Sequence, residues 1–157
     1  MAMRRSLYDE IRAEAAQYPD ERSAVLPALR LAQERYGWLP SAAFREVADA
    51  LDVTPAYCQS VASFYDMFHL VPVGRRLVEV CTNICCGLEG AQGVLEALEA
   101  ELGVRVGETT DDGEFTLRAV ECLGGCGSPT IVAIDHRYRE GVRADDVPAL
   151  VSELRGG

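Results

Sequence analysis

Five of the six cysteines in this chain stand in two short motifs. Cys81 opens the stretch CTNICC, which also contains Cys85 and Cys86, and Cys122 and Cys126 bracket the stretch CLGGC. Cysteine thiolates a few residues apart are typical ligands of a structural zinc ion or of an iron–sulfur cluster, and four thiolates can satisfy either group. The two motifs therefore predict a metal site, and their spacing alone does not choose the metal.

Each motif follows a segment with the pattern of a β-strand. Residues 75–80 read RRLVEV and end at Cys81, and residues 115–120 alternate as a strand that leads to Cys122. We expect two neighbouring strands to deliver the two thiol pairs to one edge of a sheet. Glycines within the second motif, and Gly87 and Gly90 just after the first, let the backbone approach the sulfur atoms and point amides at them.

The spacing excludes some sites and leaves one choice open. The C-x-x-C motif of a thioredoxin-type oxidoreductase is absent, and the plant-type ferredoxin spacing C-x4-C-x2-C is absent as well. The gap from Cys81 to Cys85 equals the gap from Cys122 to Cys126, so spacing alone leaves either Cys85 or Cys86 as the second ligand of the first pair.

The first part of the chain has the periodicity of short amphipathic helices. Apolar residues recur three and four positions apart between residues 6 and about 70, and residues that favour helix starts precede each run. We predict a helical bundle over residues 1–72, in which Ser6, Ser41 and Thr54 cap the first, third and fourth helices and Ser23 starts the second.

After a short linker near residues 72–74, the sequence pattern changes from helical to a mixture of strands and helices. Beyond the two strands already named, residues 91–102 form a helical pattern, and residues 130–134 and 136–140 form a predicted hairpin. Asp145 or Asp146 is expected to cap a last helix that runs to about Leu154. This alternation of strands and helices predicts an α/β domain over residues 73–157, and hence an α+β chain.

The charge and hydropathy of the chain argue against nucleic acid as a partner and against insertion into a membrane. The formal net charge is −10 and the chain contains no lysine, so a phosphate backbone would be repelled and nucleic acid is not expected as a partner. The longest apolar stretch, residues 61–73, is too short and too polar to cross a bilayer, so no direct membrane insertion is expected. The N-terminal residues lack the pattern of a signal peptide, which favours a cytoplasmic protein.

Several motifs in one order resemble a known family. The segments LPALRLAQERYGWLP (26–40), VASFYDMF (61–68), VCTNICCGLEGA (80–91) and ECLGGCG (121–127) are similar to the thioredoxin-like [2Fe–2S] subunit of NADH dehydrogenases, the E subunit of bacterial respiratory complex I. The same subunit type also occurs in NAD-linked formate dehydrogenases and hydrogenases.

The resemblance implies a helical N-terminal part, a thioredoxin-like C-terminal part and one [2Fe–2S] cluster. It implies that the cluster ligands are Cys81, Cys86, Cys122 and Cys126, because relatives separate the first pair by four residues. It also implies an FMN- and NADH-binding flavoprotein subunit and further subunits as partners in an NADH:quinone oxidoreductase, with no substrate site on this chain. The alternative from another class is a zinc-stabilised interaction module without a redox role.

The remaining candidates have ordinary structural explanations. His69 and His136 are expected to pack or lie at the surface, since four cysteines already satisfy the site. Phe64, Tyr65 and Phe68 could form a partner-docking patch or pack the fourth helix on the α/β domain. Cys58 is expected to be a small buried residue.

Overall fold

The computed structural model describes residues 6–156. Within them the chain divides into two compact units, with the boundary between Pro72 and Val73. The first unit is helical, and the second combines a sheet with helices. No helix in the described part of the chain is long and apolar enough to cross a membrane.

The first unit contains four α-helices around an apolar core. They are α1 (Leu7–Ala15), α2 (Val25–Tyr36), α3 (Ser41–Leu51) and α4 (Pro55–Phe64), and a 3-10 turn, Glu21–Ala24, precedes α2. Helix α1 packs on α2 and α3, and α4 packs on both of the latter. Ile11, Leu29, Val47 and Leu51 are completely buried at their centre.

Local sequence signals set most of these helix ends. Asp9 donates its amide to the Ser6 hydroxyl at 3.1 Å, and Tyr57 donates its amide to Thr54 at 3.2 Å, so both predicted caps are confirmed. The prediction for Ser41 is wrong, because Pro40 occupies the cap position and Ser41 is the first helical residue. The predicted start at Ser23 is also wrong, since that residue lies in the 3-10 turn before α2.

The second unit is built on a four-stranded sheet in the order β2-β1-β3-β4. The strands are β1 (Arg76–Cys81), β2 (Phe115–Val120), β3 (Val132–Ile134) and β4 (Arg137–Arg139). Strands β1 and β2 are parallel, whereas β3 pairs with β1 and with β4 in antiparallel fashion. Helices α5 (Ile84–Leu88) and α6 (Ala91–Leu102) connect β1 to β2, and α7 (Val147–Gly156) closes the chain.

The central position of β1 follows from its sequence. Its residues from Leu77 to Cys81 are all buried, as expected for a strand that has a neighbour on each side. The parallel pairing with β2 requires a crossover connection, and α6 provides it by packing on both strands.

The predicted order of strands and helices is confirmed, and α6 has the predicted bounds. The sequence did not predict the short helix α5. The hairpin strands are shorter than expected, and Asp146 accepts a hydrogen bond from the Arg143 amide within a 3-10 turn, Ala144–Asp146, that precedes α7.

Candidate metal centre

The thiols lie beyond the carboxyl ends of the two parallel strands. Cys81 is the last residue of β1 and pairs in register with Val120, the last residue of β2. Cys122 follows two residues later, so parallel pairing brings the two motifs to the same edge of the sheet. The Thr82 amide donates to the Val120 carbonyl at 2.9 Å and extends the ladder past Cys81.

The second half of each motif is placed by a different element. Cys85 and Cys86 lie in α5, which begins after Asn83. Cys126 lies in the loop between β2 and β3, where Gly124 adopts a left-handed conformation with φ of 74°. Cys81 and Cys86 are buried, Cys85 is half-buried, and Cys122 and Cys126 are exposed.

The thiols of the two motifs affect one another's ionisation. Cys86 and Cys122 contribute to the pKa of Cys81, and Cys85 contributes to the pKa of Cys126. The parallel strands bring both motifs to one edge of the sheet, as the sequence predicts.

Backbone amides point at the sulfur atoms. The Gly124 amide donates to the Cys122 sulfur at 3.3 Å. The amides of Asn83 and Leu123 also favour the Cys81 thiolate, and the amide of Ile131 favours the Cys86 thiolate. Such donors stabilise negative charge on sulfur, as an anionic thiolate site requires.

The thiols differ in their readiness to ionise. Burial disfavours the Cys81 thiolate, but the Asn83 and Leu123 amides and the neighbouring thiols outweigh it and lower the pKa of Cys81. Burial, together with the adjacent Cys81, raises the pKa of Cys86, and the hydrogen bond with Cys85 raises the pKa of Cys126. Because neighbouring thiolates repel one another, a cation between them would favour their full ionisation.

Two residues that sequence reasoning missed hold the motifs in place. Thr130 is almost completely buried, and its hydroxyl lies 3.5 Å from the carbonyl oxygens of both Cys86 and Glu89. The Tyr138 hydroxyl on β4 donates to the Leu123 carbonyl at 2.5 Å. The only sequence signal for Thr130 was a polar residue at the start of an otherwise apolar predicted strand.

The other candidates have structural positions. His69 is buried in the helical unit, where its amide donates to the Gln33 side chain at 2.6 Å, and His136 is exposed with a ring nitrogen 3.9 Å from Glu79. Cys58 is fully buried, as expected. Phe68 belongs to the core of the helical unit, whereas Phe64 is 81% exposed.

The donor set fits a [2Fe–2S] group by its chemistry. Such a group needs four thiolates in two pairs and amide donors around the sulfur atoms, and both are present here. Between residues 6 and 156, no three His, Cys, Asp or Glu side chains converge closely enough to hold a single metal ion as they stand.

Comparison with known proteins identifies relatives of nearly the same length. The chain is 42% identical over 150 residues to the NADH-quinone oxidoreductase E 2 subunit of Rhizobium meliloti (strain 1021), a match that covers 96% of this chain and 89% of that protein. It is 33% identical over 147 residues to the NADH-quinone oxidoreductase E subunit of Escherichia coli (strain K12), covering 94% and 89%.

A solved structure shares the fold. A chain of an NAD+-reducing [NiFe]-hydrogenase in the air-oxidized state superposes with a TM-score of 0.75 at 22% sequence identity, over 84% of this chain and 23% of that one. Residues 11–155 match the family described as thioredoxin-like [2Fe-2S] ferredoxin. With the thiol-lined sheet edge, the relatives and the shared fold in agreement, the chain belongs to the thioredoxin-like [2Fe–2S] ferredoxin family.

Proposed function

We propose that Cys81, Cys86, Cys122 and Cys126 bind one [2Fe–2S] cluster, the cofactor of this family. The proposal is supported by the position of both cysteine pairs beyond the carboxyl ends of two parallel strands. Cys86 is preferred over Cys85 because it is buried in the same apolar core as Cys81, whereas Cys85 is only half-buried.

The residues around the thiols would set the properties of the bound cofactor. A [2Fe–2S] cluster, when bound, takes up and returns one electron. The amides of Gly124, Asn83 and Leu123 stabilise the added negative charge and so raise the reduction potential. The burial of Cys81 and the exposure of Cys122 leave one side of the site sheltered and the other open to a redox partner.

The chain then acts as the electron-transfer subunit of an NADH:quinone oxidoreductase of the respiratory complex I type. The observation that carries this conclusion is full-length similarity to quinone-reductase E subunits in a chain with the thiol-lined sheet edge. Its work is outer-sphere electron transfer, in which the protein contributes distance, burial and potential.

We propose that the electron donor is a flavoprotein subunit that binds NADH and FMN. The surface beside the thiols suits a protein partner, because the side chains of Ile84 and Leu88 on α5 are apolar and are 72% and 81% exposed. We call these two residues the α5 rim. A partner that covers the rim would lie beside Cys85 and Cys86, which belong to the same short helix.

The domain division and location complete the proposal. Residues 73–157 form the ferredoxin domain, and residues 1–72 form its helical extension. The chain works in the cytoplasm, where further subunits attach it to the cytoplasmic face of the membrane.

A host complex of another kind is the alternative. The likeness to the hydrogenase is at 22% identity and concerns the fold, whereas the relatives at 42% and 33% identity are quinone-reductase subunits. This difference favours the NADH:quinone oxidoreductase over a hydrogenase or formate dehydrogenase.

The test is purification of the full chain under anaerobic conditions. Brown protein that contains iron and acid-labile sulfide in equal amounts, and whose visible absorption bleaches with dithionite, supports the proposal. Colourless protein containing stoichiometric zinc overturns it. Co-purification from the native host, with subunits identified by mass, tests the host complex, and a flavoprotein without quinone-reductase subunits contradicts this assignment.

Single serine substitutions test the ligand set. Each change at a proposed ligand should remove or destabilise the cluster, because serine is a poor replacement for thiolate. Cys85→Ser and Cys58→Ser are the matched controls and should retain iron and the visible spectrum. Loss of iron in Cys85→Ser, with retention in Cys86→Ser, would show that the wrong member of the pair was chosen.

A further inference from the structure

Tyr138 is the middle residue of β4 and lies outside both cysteine motifs. It pairs with Ala133 of β3, which pairs in turn with Glu79 of β1. Because paired residues share a face of the sheet, as do alternate residues along a strand, Tyr138 is on the same face as Cys81. The residue is 49% exposed, and its hydroxyl donates to the Leu123 carbonyl at 2.5 Å. A residue of the edge strand therefore reaches the loop of the second motif.

A single peptide group links the Tyr138 hydroxyl to the sulfur of Cys122. The group joins Leu123 to Gly124, and its oxygen accepts the hydrogen bond from the hydroxyl. Its N–H group belongs to Gly124 and donates to the Cys122 sulfur at 3.3 Å. The φ of Gly124 is 74°, and this left-handed conformation turns its amide back toward a residue two positions earlier. Hydroxyl, peptide group and sulfur thus form one continuous hydrogen-bonded chain.

Hydrogen bonds in such a chain strengthen one another. Resonance in a peptide group moves electron density from nitrogen to oxygen, and a donor at the oxygen favours this movement. The N–H group then carries more positive charge and becomes a better donor to sulfur. In condensed phases each hydrogen bond strengthens its neighbour by roughly 10–30%. The Tyr138 hydroxyl therefore strengthens the bond from the Gly124 amide to the Cys122 sulfur, and it does so from one peptide group away.

We propose that Tyr138 is a positioning residue that raises the reduction potential of the bound cluster through the Leu123–Gly124 peptide group. The inference rests on the proposed function, since it takes Cys122 as a cluster ligand. Reduction adds negative charge around the sulfur atoms, so a stronger amide donor stabilises the reduced state more than the oxidised state. The device tunes the potential from a strand that supplies none of the proposed ligands.

The competing explanation is that the hydroxyl only holds the loop in place. The loop has an anchor of its own, because the Leu123 side chain packs against the apolar core of the second unit. Tyr138→Phe keeps the aromatic ring and removes the hydroxyl alone. If the hydroxyl were a clamp, this variant would release iron faster at an unchanged potential. If the hydroxyl polarises the peptide group, the potential itself shifts.

The first experiment is a redox titration of the full-length protein with its cluster bound. In Tyr138→Phe we expect reduction to become about twofold to fourfold less favourable, which is about 20–35 mV more negative at 59 mV per tenfold for one electron. The matched control is Tyr36→Phe, which loses a hydroxyl hydrogen bond of 2.6 Å to Glu46 within the helical unit and should keep the wild-type potential. Equal potentials in the wild type and Tyr138→Phe, or equal shifts in the two variants, overturn the proposal.

A change of the opposite sign tests the same hydrogen bond. Replacing Tyr138 by 3-fluorotyrosine makes the phenol more acidic and hence a stronger donor, with almost the same shape. At a pH where this phenol stays protonated, the potential should become more positive than that of the wild type. A negative shift or an unchanged potential overturns the proposal. This protein retains the hydroxyl, so it also decides the matter if Tyr138→Phe fails to hold a cluster.

Nuclear magnetic resonance of the cluster-free chain separates this inference from the proposed function. A weaker hydrogen bond moves an amide proton upfield, so the Gly124 resonance should move upfield in Tyr138→Phe while that of Gly127 stays in place. An unchanged Gly124 resonance overturns the relay. A wild-type chain that accepts no [2Fe–2S] cluster refutes the proposed function, and the Gly124 resonance still decides whether the relay exists. A wild-type chain that accepts the cluster, with a potential equal to that of Tyr138→Phe, refutes this inference alone.

Discussion

Gly125 sits between Cys122 and Cys126, at a position where a methyl group has no room. A Cβ built on this glycine would lie 2.7 Å from Cγ1 and 2.8 Å from Cδ1 of Ile131. Ile131 is completely buried, and its branched side chain has little rotational freedom. In Gly125→Ala either Ile131 or the cysteine loop must therefore move.

The size of the effect follows from this overlap. Inserting a methyl group into a packed core typically costs about 1–3 kcal/mol, and we expect Gly125→Ala to lose that much free energy of unfolding. Ile131 also accepts a hydrogen bond from Cys81 at 3.0 Å through its carbonyl, so a shift reaches the first motif as well. We expect faster release of iron from the variant.

Gly127→Ala is the matched control on the other side of Cys126. A Cβ there would meet no atom within 4 Å, and the backbone is not in the left-handed region. This variant should match the wild type in stability and iron retention. Urea denaturation followed by circular dichroism, and iron transfer to a coloured chelator, measure the two quantities. Equal behaviour of the two alanine variants would refute the packing argument.

Three further predictions concern other parts of the chain. Burial raises the pKa of Cys58 to about 11 from the ordinary 9.0, so its contribution to stability is complete below about pH 9 and is lost as the pH rises through 11. In urea denaturation, the free energy of unfolding of the wild type should fall by about 3 kcal/mol more than that of Cys58→Ala between pH 9 and pH 11. Parallel pH profiles for the two proteins would contradict this. Leu88→Asp on the α5 rim should weaken flavoprotein binding in a pull-down while the cluster absorbance stays intact. The control is Val106→Asp, which changes an exposed residue on the loop that leads into β2 and should leave binding normal. Equal binding by the two variants would exclude the α5 rim as the flavoprotein-binding surface. Thr54→Ala should lower the unfolding free energy by about 1 kcal/mol through loss of the Tyr57 amide contact, Thr54→Ser should largely retain it, and equal losses in the two variants would refute a capping role.

Local patterns were sufficient for most of the helices and strands. The caps at Ser6 and Thr54 and the bounds of α6 depend on short-range hydrogen bonds and on apolar periodicity within one segment. The predicted start of α2 was wrong, because the chain forms a 3-10 turn before this helix begins. Short-range sequence signals predict the presence of a helix more reliably than they predict its first residue.

Helix α5 could not be predicted from local sequence patterns. It is five residues long and contains two cysteines and a glycine, so it carries no periodic signal. It forms between β1 and α6, where Asn83 accepts a hydrogen bond from the Ile84 amide. No stretch this short is stable by itself, because helix nucleation costs more than one turn returns.

The sequence by itself determined the donor types, the grouping of the cysteines into two motifs, and the placement of each motif after a strand. Only the tertiary structure decided which of the two adjacent cysteines is buried: Cys86 lies in the same apolar core as Cys81, whereas Cys85 is half-buried. The physical reason is that adjacent residues on a helix point in directions about 100° apart. Which direction faces which loop depends on the pairing of β1 with β2 and β3, and that pairing joins segments far apart in the chain.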